Sequence, residues 1–185
     1  MLTIVYESHS ASTDNETGLA SGHYDAELSP RGREQAKALG VRYAQTELSA
    51  IFCSDLRRSY ETAEIAFAGC GLPIIQDSRL RECDYGALTR HPRAEVGPAK
   101  VRYLARPFPG GESYQQVVIR VKSFLQDLLA GHDGERVMIV DHTAVPHVLE
   151  HLIRRVPLHD AVAMERGWQP GWIYQLDASH LGDDE

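Results

Sequence analysis

Leu2-Thr3-Ile4-Val5-Tyr6 is an apolar run rich in β-branched residues with no turn former inside it, and His9 follows it three residues later. Such a run reads as a strand buried on both faces. Much further along, Val137-Met138-Ile139-Val140 repeats the pattern, and His142 follows it by two residues. Between and beyond these two runs, strands alternate with helices. Ser29-Pro30 supplies an N-cap and a proline at the first helical position, with Ala36, Leu39, Gly40 and Tyr43 recurring at helical spacing after it. Ala50 to Cys53 reads as a second strand, Arg57 to Phe67 as a helix, and Ile74-Ile75 as a third strand after the turn from Gly69 to Pro73. Val117, Val121, Phe124, Leu125, Leu128 and Leu129 mark the clearest amphipathic helix, which Gly131 and Gly134 are expected to close. A helix carrying Val145, Val148, Leu149, Leu152 and Ile153 follows the Val137 to Val140 strand, and Trp172 to Leu176 is the last strand.

This alternation implies an α/β fold: a three-layer α/β/α sandwich with a mostly parallel central sheet. Ligands in such folds bind just beyond the carboxyl ends of the strands. His9 and His142 both fall on that rim. The polar loop from Glu7 to Ser29 is long enough to suggest function. Arg79 to Gly111 is broken by Pro92, Pro98, Pro107 and Pro109, and reads as a segment that covers something, at about residues 86–110. The acidic end Asp183-Asp184-Glu185 is expected to fray.

A length of 185 residues, 43% hydrophobic and 24% charged, fits a single domain over residues 1–185. Nineteen Lys and Arg against 26 Asp and Glu leave a net charge of -7, so no general field draws the chain to nucleic acid or an anionic membrane. A local basic pocket is still allowed. Cys53, Cys70 and Cys83 are odd in number and lack metal-ligand spacing, which fits a reducing cytoplasm. Met1 to Tyr6 has no basic stretch leading into a long apolar region, so a soluble, unexported protein is expected. A homodimer is allowed; nothing in the sequence fixes the oligomeric state.

Five motifs in one order resemble those of the histidine phosphatases, the phosphoglycerate-mutase-like superfamily, in its small-phosphatase branch. That family carries Arg-His-Gly after its first strand, an Asn six residues past the His, a Gln-Gly, an Asp, and Leu-(Ser/Thr)-x-x-Gly opening a helix. Here His9, Asn15, Gly22, Asp25, Leu28, Ser29 and Gly32 fall on that pattern without a gap. Ser54 to Ala63 resembles the second signature, whose arginine before the Thr-Ala pair corresponds to Arg58. Leu80-Arg81-Glu82-Cys83-Asp84-Tyr85-Gly86 resembles the segment of the acidic catalyst, at Glu82. Pro109 to Ser113 is similar to the turn into the long helix, and Val140-Asp141-His142 to the strand end with the second histidine. Any one motif is weak; five in order, each at an expected strand edge or helix start, are specific.

The resemblance implies hydrolysis of a small organic phosphate monoester through a phosphohistidine on His9, with Glu82, His142 and Arg58 as the other catalytic residues and no metal or organic cofactor. Ser8, Ser10, Asn15, Ser21 and Thr143 are the expected substrate-binding positions. The chemistry explains the residue types. A neutral imidazole attacks phosphorus in line, and fixed cations and donors meet the charge on the equatorial oxygens. One carboxyl protonates the leaving alkoxide and then activates water. Asp84 competes with Glu82 for that role, and Arg58 has Glu61 and Glu64 on its own helix as other partners. His147, five residues past His142, is near enough to approach the pocket rim.

The pattern is broken at four places: Ser8 stands where the family has Arg, Ser10 where it has Gly, Ser21 where it has Gln, and Thr143 where it has Gly. Losing a guanidinium from a phosphate clamp is costly, since one preorganised donor is worth about 10²–10³ in rate. Three explanations stand. A cation enters from elsewhere, with Arg90, Arg93, Lys100, Arg102 and Arg106 available in the covering segment. The substrate brings its own positive group. Or the scaffold is repurposed, as a ligand-binding member without turnover. Glu7, pointing away from Ser8, is a candidate anchor for a covering arginine. Phosphoglycerate-mutase-type transfer is the enzymatic alternative, since a phosphohistidine can return its phosphoryl group to a second hydroxyl.

Overall fold

Alternation along the strands sorts the core into two layers, one on each face of the sheet. Ile4 and Tyr6, Ala50 and Phe52, and Val137 and Ile139 face one side, while Val5, Ile51, Cys53, Met138 and Val140 face the other. The computed structural model describes residues 1–164 and 169–182; the Asp183 to Glu185 end lies outside the described residues. Strands β1 (Leu2–Ser8), β2 (Ala50–Cys53), β3 (Ile74–Gln76), β4 (Arg136–Asp141) and β5 (Trp172–Leu176) form one sheet in the order β3-β2-β4-β1-β5. All neighbours are parallel except β5, which runs antiparallel to β1.

The helices are α1 (Thr13–Glu16), α2 (Pro30–Tyr43), α3 (Arg57–Ala66), α4 (Arg93–Ala99), α5 (Tyr114–His132), α6 (Ala144–Leu152) and α7 (Leu158–Ala163). Leu39 of α2 and Ala63 of α3 join the Val5 layer, and Val117, Val121, Phe124 and Leu125 of α5 join the Ile4 layer with Val145, Val148 and Leu149 of α6. The three-layer α/β/α architecture is the expected one.

Three details differ from the sequence reading. Both histidine-bearing strands run further than their apolar runs, so His9 directly follows β1 and His142 directly follows β4. Backbone pairing carries Glu7 and Ser8 along, in register with Val140 and Asp141. The long helix α5 passes through Gly131 to His132, and the chain turns at Gly134 in the left-handed region (φ 85°). Finally, the Glu7 to Ser29 stretch is not all loop: α1 lies within it, and a bridge joins Ser12 to Leu28.

Local chemistry fixes the helix starts that frame the site. Ser29 Oγ accepts from the Gly32 N–H at 3.0 Å. Gly32 is required for a further reason, because a Cβ there would run into the Ala11 carbonyl. Helix α2 therefore packs directly on the loop that leaves His9.

Candidate active site

Three parallel strand ends deliver the site: β1 presents Ser8 and His9, β4 presents Asp141 and His142, and β2 presents Ser54. The strand pairing continues one step past β1, where the His9 N–H donates to the Asp141 carbonyl at 2.7 Å. The His9 side chain lines a cavity of about 980 Å³ together with Arg58, Glu82, Asn15 and Tyr85. Its Nδ1 lies 2.7 Å from the Ser10 carbonyl oxygen. A carbonyl only accepts, so Nδ1 carries the proton and Nε2 keeps the lone pair. Removal of the ring from water, reinforced by the positive charge of Arg58, lowers its pKa to about 3, so the imidazole is neutral at ordinary pH.

Arg58 has left the surface of α3. It is 2% exposed, and its guanidinium donates to the carbonyls of Gly22 and Tyr24 at 2.8 and 2.9 Å. The neighbouring Arg57 takes the acid of its own helix, Glu61, at 2.6 Å. Thr62 Oγ1 donates to the Arg58 carbonyl at 2.6 Å and accepts from the Ser10 N–H at 3.0 Å, joining the arginine's helix to the turn after His9.

Glu82 arrives from the segment before α4. Its Oε1 accepts from the N–H groups of Cys83 and Ala144, at 2.9 and 3.2 Å, so the carboxylate sits at the start of α6 beside the cavity. Asp84 faces elsewhere, accepting from Gly86 N–H at 2.9 Å. The Glu82 backbone is held from behind: His23 Nε2–H and Arg120 Nη2 both donate to its carbonyl, at 2.8 and 3.1 Å.

His142 is completely buried, its ring centroid 5.0 Å from that of His9, and it stands behind the cavity lining rather than in it. Ser54 Oγ lies 2.6 Å from its Nε2, and Tyr6 donates to its carbonyl at 2.9 Å. Asp141 Oδ1 is 3.2 Å from the same Nε2. Burial raises the pKa of the Asp141 carboxyl well above its ordinary value and lowers that of the His142 imidazole well below its own, each shift favouring the uncharged form.

Of the expected binding positions, Ser8, Asn15, Ser21 and Thr143 line the cavity. Asn15 is already engaged through Oδ1, which accepts from Ser12 N–H at 3.0 Å. Ser10 lies outside the lining, and its backbone carbonyl holds the His9 ring. The Glu7 expectation is also corrected, since its carboxylate binds Arg42 and Tyr43 of α2 at 3.0 and 2.7 Å and the Gly171 N–H at 2.9 Å, not an arginine of the covering segment. The pleat that turns Glu7 from Ser8 turns it toward α2. His147 does reach the cavity.

Residues 86–110, expected to cover the site, are bonded to the loop after His9. Arg90 N–H donates to Ala20, Ala20 N–H to His91, and Arg93 N–H to Gly18, at 2.7, 2.9 and 2.8 Å. Val96 of this segment is buried, and Arg93, Val96, Lys100 and Val101 line the cavity. Sequence reasoning missed Ser54, His23, Arg120 and Thr62 as supports. Ser54 and Thr62 did lie inside a quoted motif, which was the one signal available. Among the described residues, no group of three or more His, Cys, Asp or Glu is arranged to hold a metal ion, and no helix is long and apolar enough to cross a membrane.

Comparison with known proteins gives matching results. A family model described as histidine phosphatase superfamily (branch 1) matches residues 8–179. Phosphoserine phosphatase 1 of Hydrogenobacter thermophilus is 34% identical over 152 residues, covering 77% of this chain and 72% of that one. Probable phosphoglycerate mutase GpmB of Enterobacter sp. is 30% identical, covering 98% and 95%. Among solved structures, Bacillus stearothermophilus YhfR superposes with a TM-score of 0.82 at 27% identity, covering 98% of this chain and 100% of that one. A mycobacterial glucosyl-3-phosphoglycerate phosphatase in complex with VO3 superposes with a TM-score of 0.78 at 28% identity, covering 88% and 87%.

Proposed function

We infer, for a chain that belongs to the histidine phosphatase superfamily, that it hydrolyses a small organic phosphate monoester through a phosphohistidine on His9. The observation that carries this reading is the His9 tautomer: Nδ1 is tied to the Ser10 carbonyl at 2.7 Å, leaving Nε2 as the nucleophile in a cavity shared with Arg58 and Glu82. The names of phosphatase relatives support hydrolysis.

In the first step Nε2 of His9 bonds to phosphorus as the ester P–O bond breaks, and the departing alkoxide takes a proton from Glu82. In the second, the Glu82 carboxylate takes a proton from water, whose oxygen bonds to phosphorus as the N–P bond breaks. Arg58, the Asn15 amide and the hydroxyls of Ser21 and Thr143 meet the phosphoryl oxygens. His142 stands behind the lining, 5.0 Å from His9 between ring centroids, and is read as backing the His9 ring; its Nδ1 has no hydrogen-bond partner among the described residues. The reaction so read is a cytoplasmic one on a phosphorylated metabolite, and no metal takes part.

Alkaline-quenched protein caught during turnover is expected to gain one phosphoryl group at His9, and His9→Ala to lose both adduct and activity. A chain that forms no adduct and hydrolyses nothing in a broad ester panel contradicts the reading. The relative named as a mutase aligns over 98% of this chain, which keeps phosphoryl transfer as a second reading. Free phosphate as product indicates hydrolysis; an isomerised ester indicates transfer. Loss of hydrolysis in Glu82→Gln excludes a silent ligand-binding protein.

A further inference from the structure

A phosphoryl dianion entering this cavity meets Glu82, which brings no positive charge, and a guanidinium, Arg58, whose fork already serves the carbonyls of Gly22 and Tyr24. Ser8, at the end of β1, adds no charge. The floor is therefore short of positive charge for the ligand it is built around, and the balance has to come from the walls.

The covering segment offers five cations, and their surroundings separate them. Arg90 pairs with Asp14 at 3.2 Å and lies 4.3 Å above the Tyr24 ring. Arg106 lies 5.4 Å from the Tyr103 ring. Arg102 is exposed and outside the cavity lining. Arg93 and Lys100 line the cavity, and neither has an ion pair among the described residues. Lys100 is the deeper of the two, being partly buried where Arg93 is exposed. Its Nζ is 5.8 Å from the centre of the Tyr85 ring, which lines the same cavity. Burial lowers its pKa, and the charge of Glu82 works against that lowering. An ammonium group lining the cavity beside Glu82, with no ion pair among the described residues, is poised for an anionic ligand.

We propose that Lys100, flanked by Arg93, supplies the phosphate-binding positive charge that Ser8 cannot, so that the transferred group is gripped between the sheet edge and the covering segment. The proposal rests on the phosphate-ester reading of the cavity. Lys100 makes and breaks no covalent bond: its ammonium group bonds to an equatorial phosphoryl oxygen, while the proton transfers stay with Glu82. The hydrogen bonds from Arg90 and Arg93 to Ala20 and Gly18 hold the segment, and so Lys100, in place.

The test is calorimetric titration of the full chain with orthovanadate and with inorganic phosphate, using wild type, Lys100→Gln, Lys100→Met, Lys100→Arg and Arg102→Gln. Lys100→Met keeps the apolar stem and guards against loss of fold, which circular dichroism checks. The expected result is at least tenfold weaker binding of both anions in Lys100→Gln and Lys100→Met, recovery of most of the affinity in Lys100→Arg, and no change in Arg102→Gln. Wild-type affinity in a folded Lys100→Met chain overturns the role of Lys100 alone. Failure of the wild-type chain to bind either anion overturns the phosphate reading and the Lys100 proposal with it.

Discussion

His9 and Asp141 pull the pH dependence of stability in opposite directions. With its pKa lowered to about 3 in the folded chain, His9 stays unprotonated where the unfolded chain takes up a proton near the ordinary value of about 6.5. Stability therefore falls as pH drops through that window, and the buried His142 acts in the same sense. Replacing His9 by Gln is expected to shrink the loss of urea midpoint between about pH 7 and pH 4. Asp141 is the reverse case. Its raised pKa means that the unfolded chain gives up a proton the folded chain retains, so it costs stability as pH rises above the ordinary carboxylate range. Asp141→Asn is expected to raise the urea midpoint at pH 8 and to change it little at pH 3; a lower midpoint at pH 8 would show that the carboxyl is needed for His142 packing.

Elements meet at this site by close backbone approach and by side chains reaching across the sheet edge. Helix α2 lies on the Ala11 carbonyl through Gly32, where an added Cβ has no room. Gly32→Ala is expected to cost about 1–3 kcal/mol, read from denaturant unfolding. Helix α5 begins with a reciprocal cap between Ser113 and Gln116, and Ser113→Ala should cost about 0.5–2 kcal/mol. The same helix reaches the segment of Glu82, the proposed acid, through Arg120, whose guanidinium bonds Glu112 and the Glu82 carbonyl. Arg120 is a positioning residue, since it touches Glu82 only at the backbone. Arg120→Met is expected to lower kcat by roughly tenfold to a hundredfold with a smaller change in KM, because a misplaced acid loses its alignment with the leaving oxygen. An equal loss in stability and none in kcat would make Arg120 a purely structural contact.

Across the whole molecule, binding in the cavity joins the sheet edge, the start of α6 and the covering segment, so an anion should stabilise the fold globally. A ligand at a hundred times its dissociation constant adds about 2.7 kcal/mol, and orthovanadate should raise the melting temperature accordingly, with Arg58→Met abolishing the rise. The order of strands and helices was legible because it depends on periodicity within a few residues, as in Leu2–Tyr6 and Val137–Val140. The placement of His9 and His142 at the strand ends followed from that order. The motif favours Glu82 over Asp84; tertiary structure gave these two carboxylates of one short run different surroundings, bringing the Ala144 N–H to one and the Gly86 N–H to the other. It alone gave Glu7 to Arg42, set Ser54 against His142, hung the Glu82 carbonyl on His23 and Arg120, and brought Lys100 to the cavity. The physical reason is range: strand and helix formation are set by neighbours along the chain, whereas charge compensation and hydrogen-bond satisfaction act through space between groups tens of residues apart, and they are decided only when the layers pack.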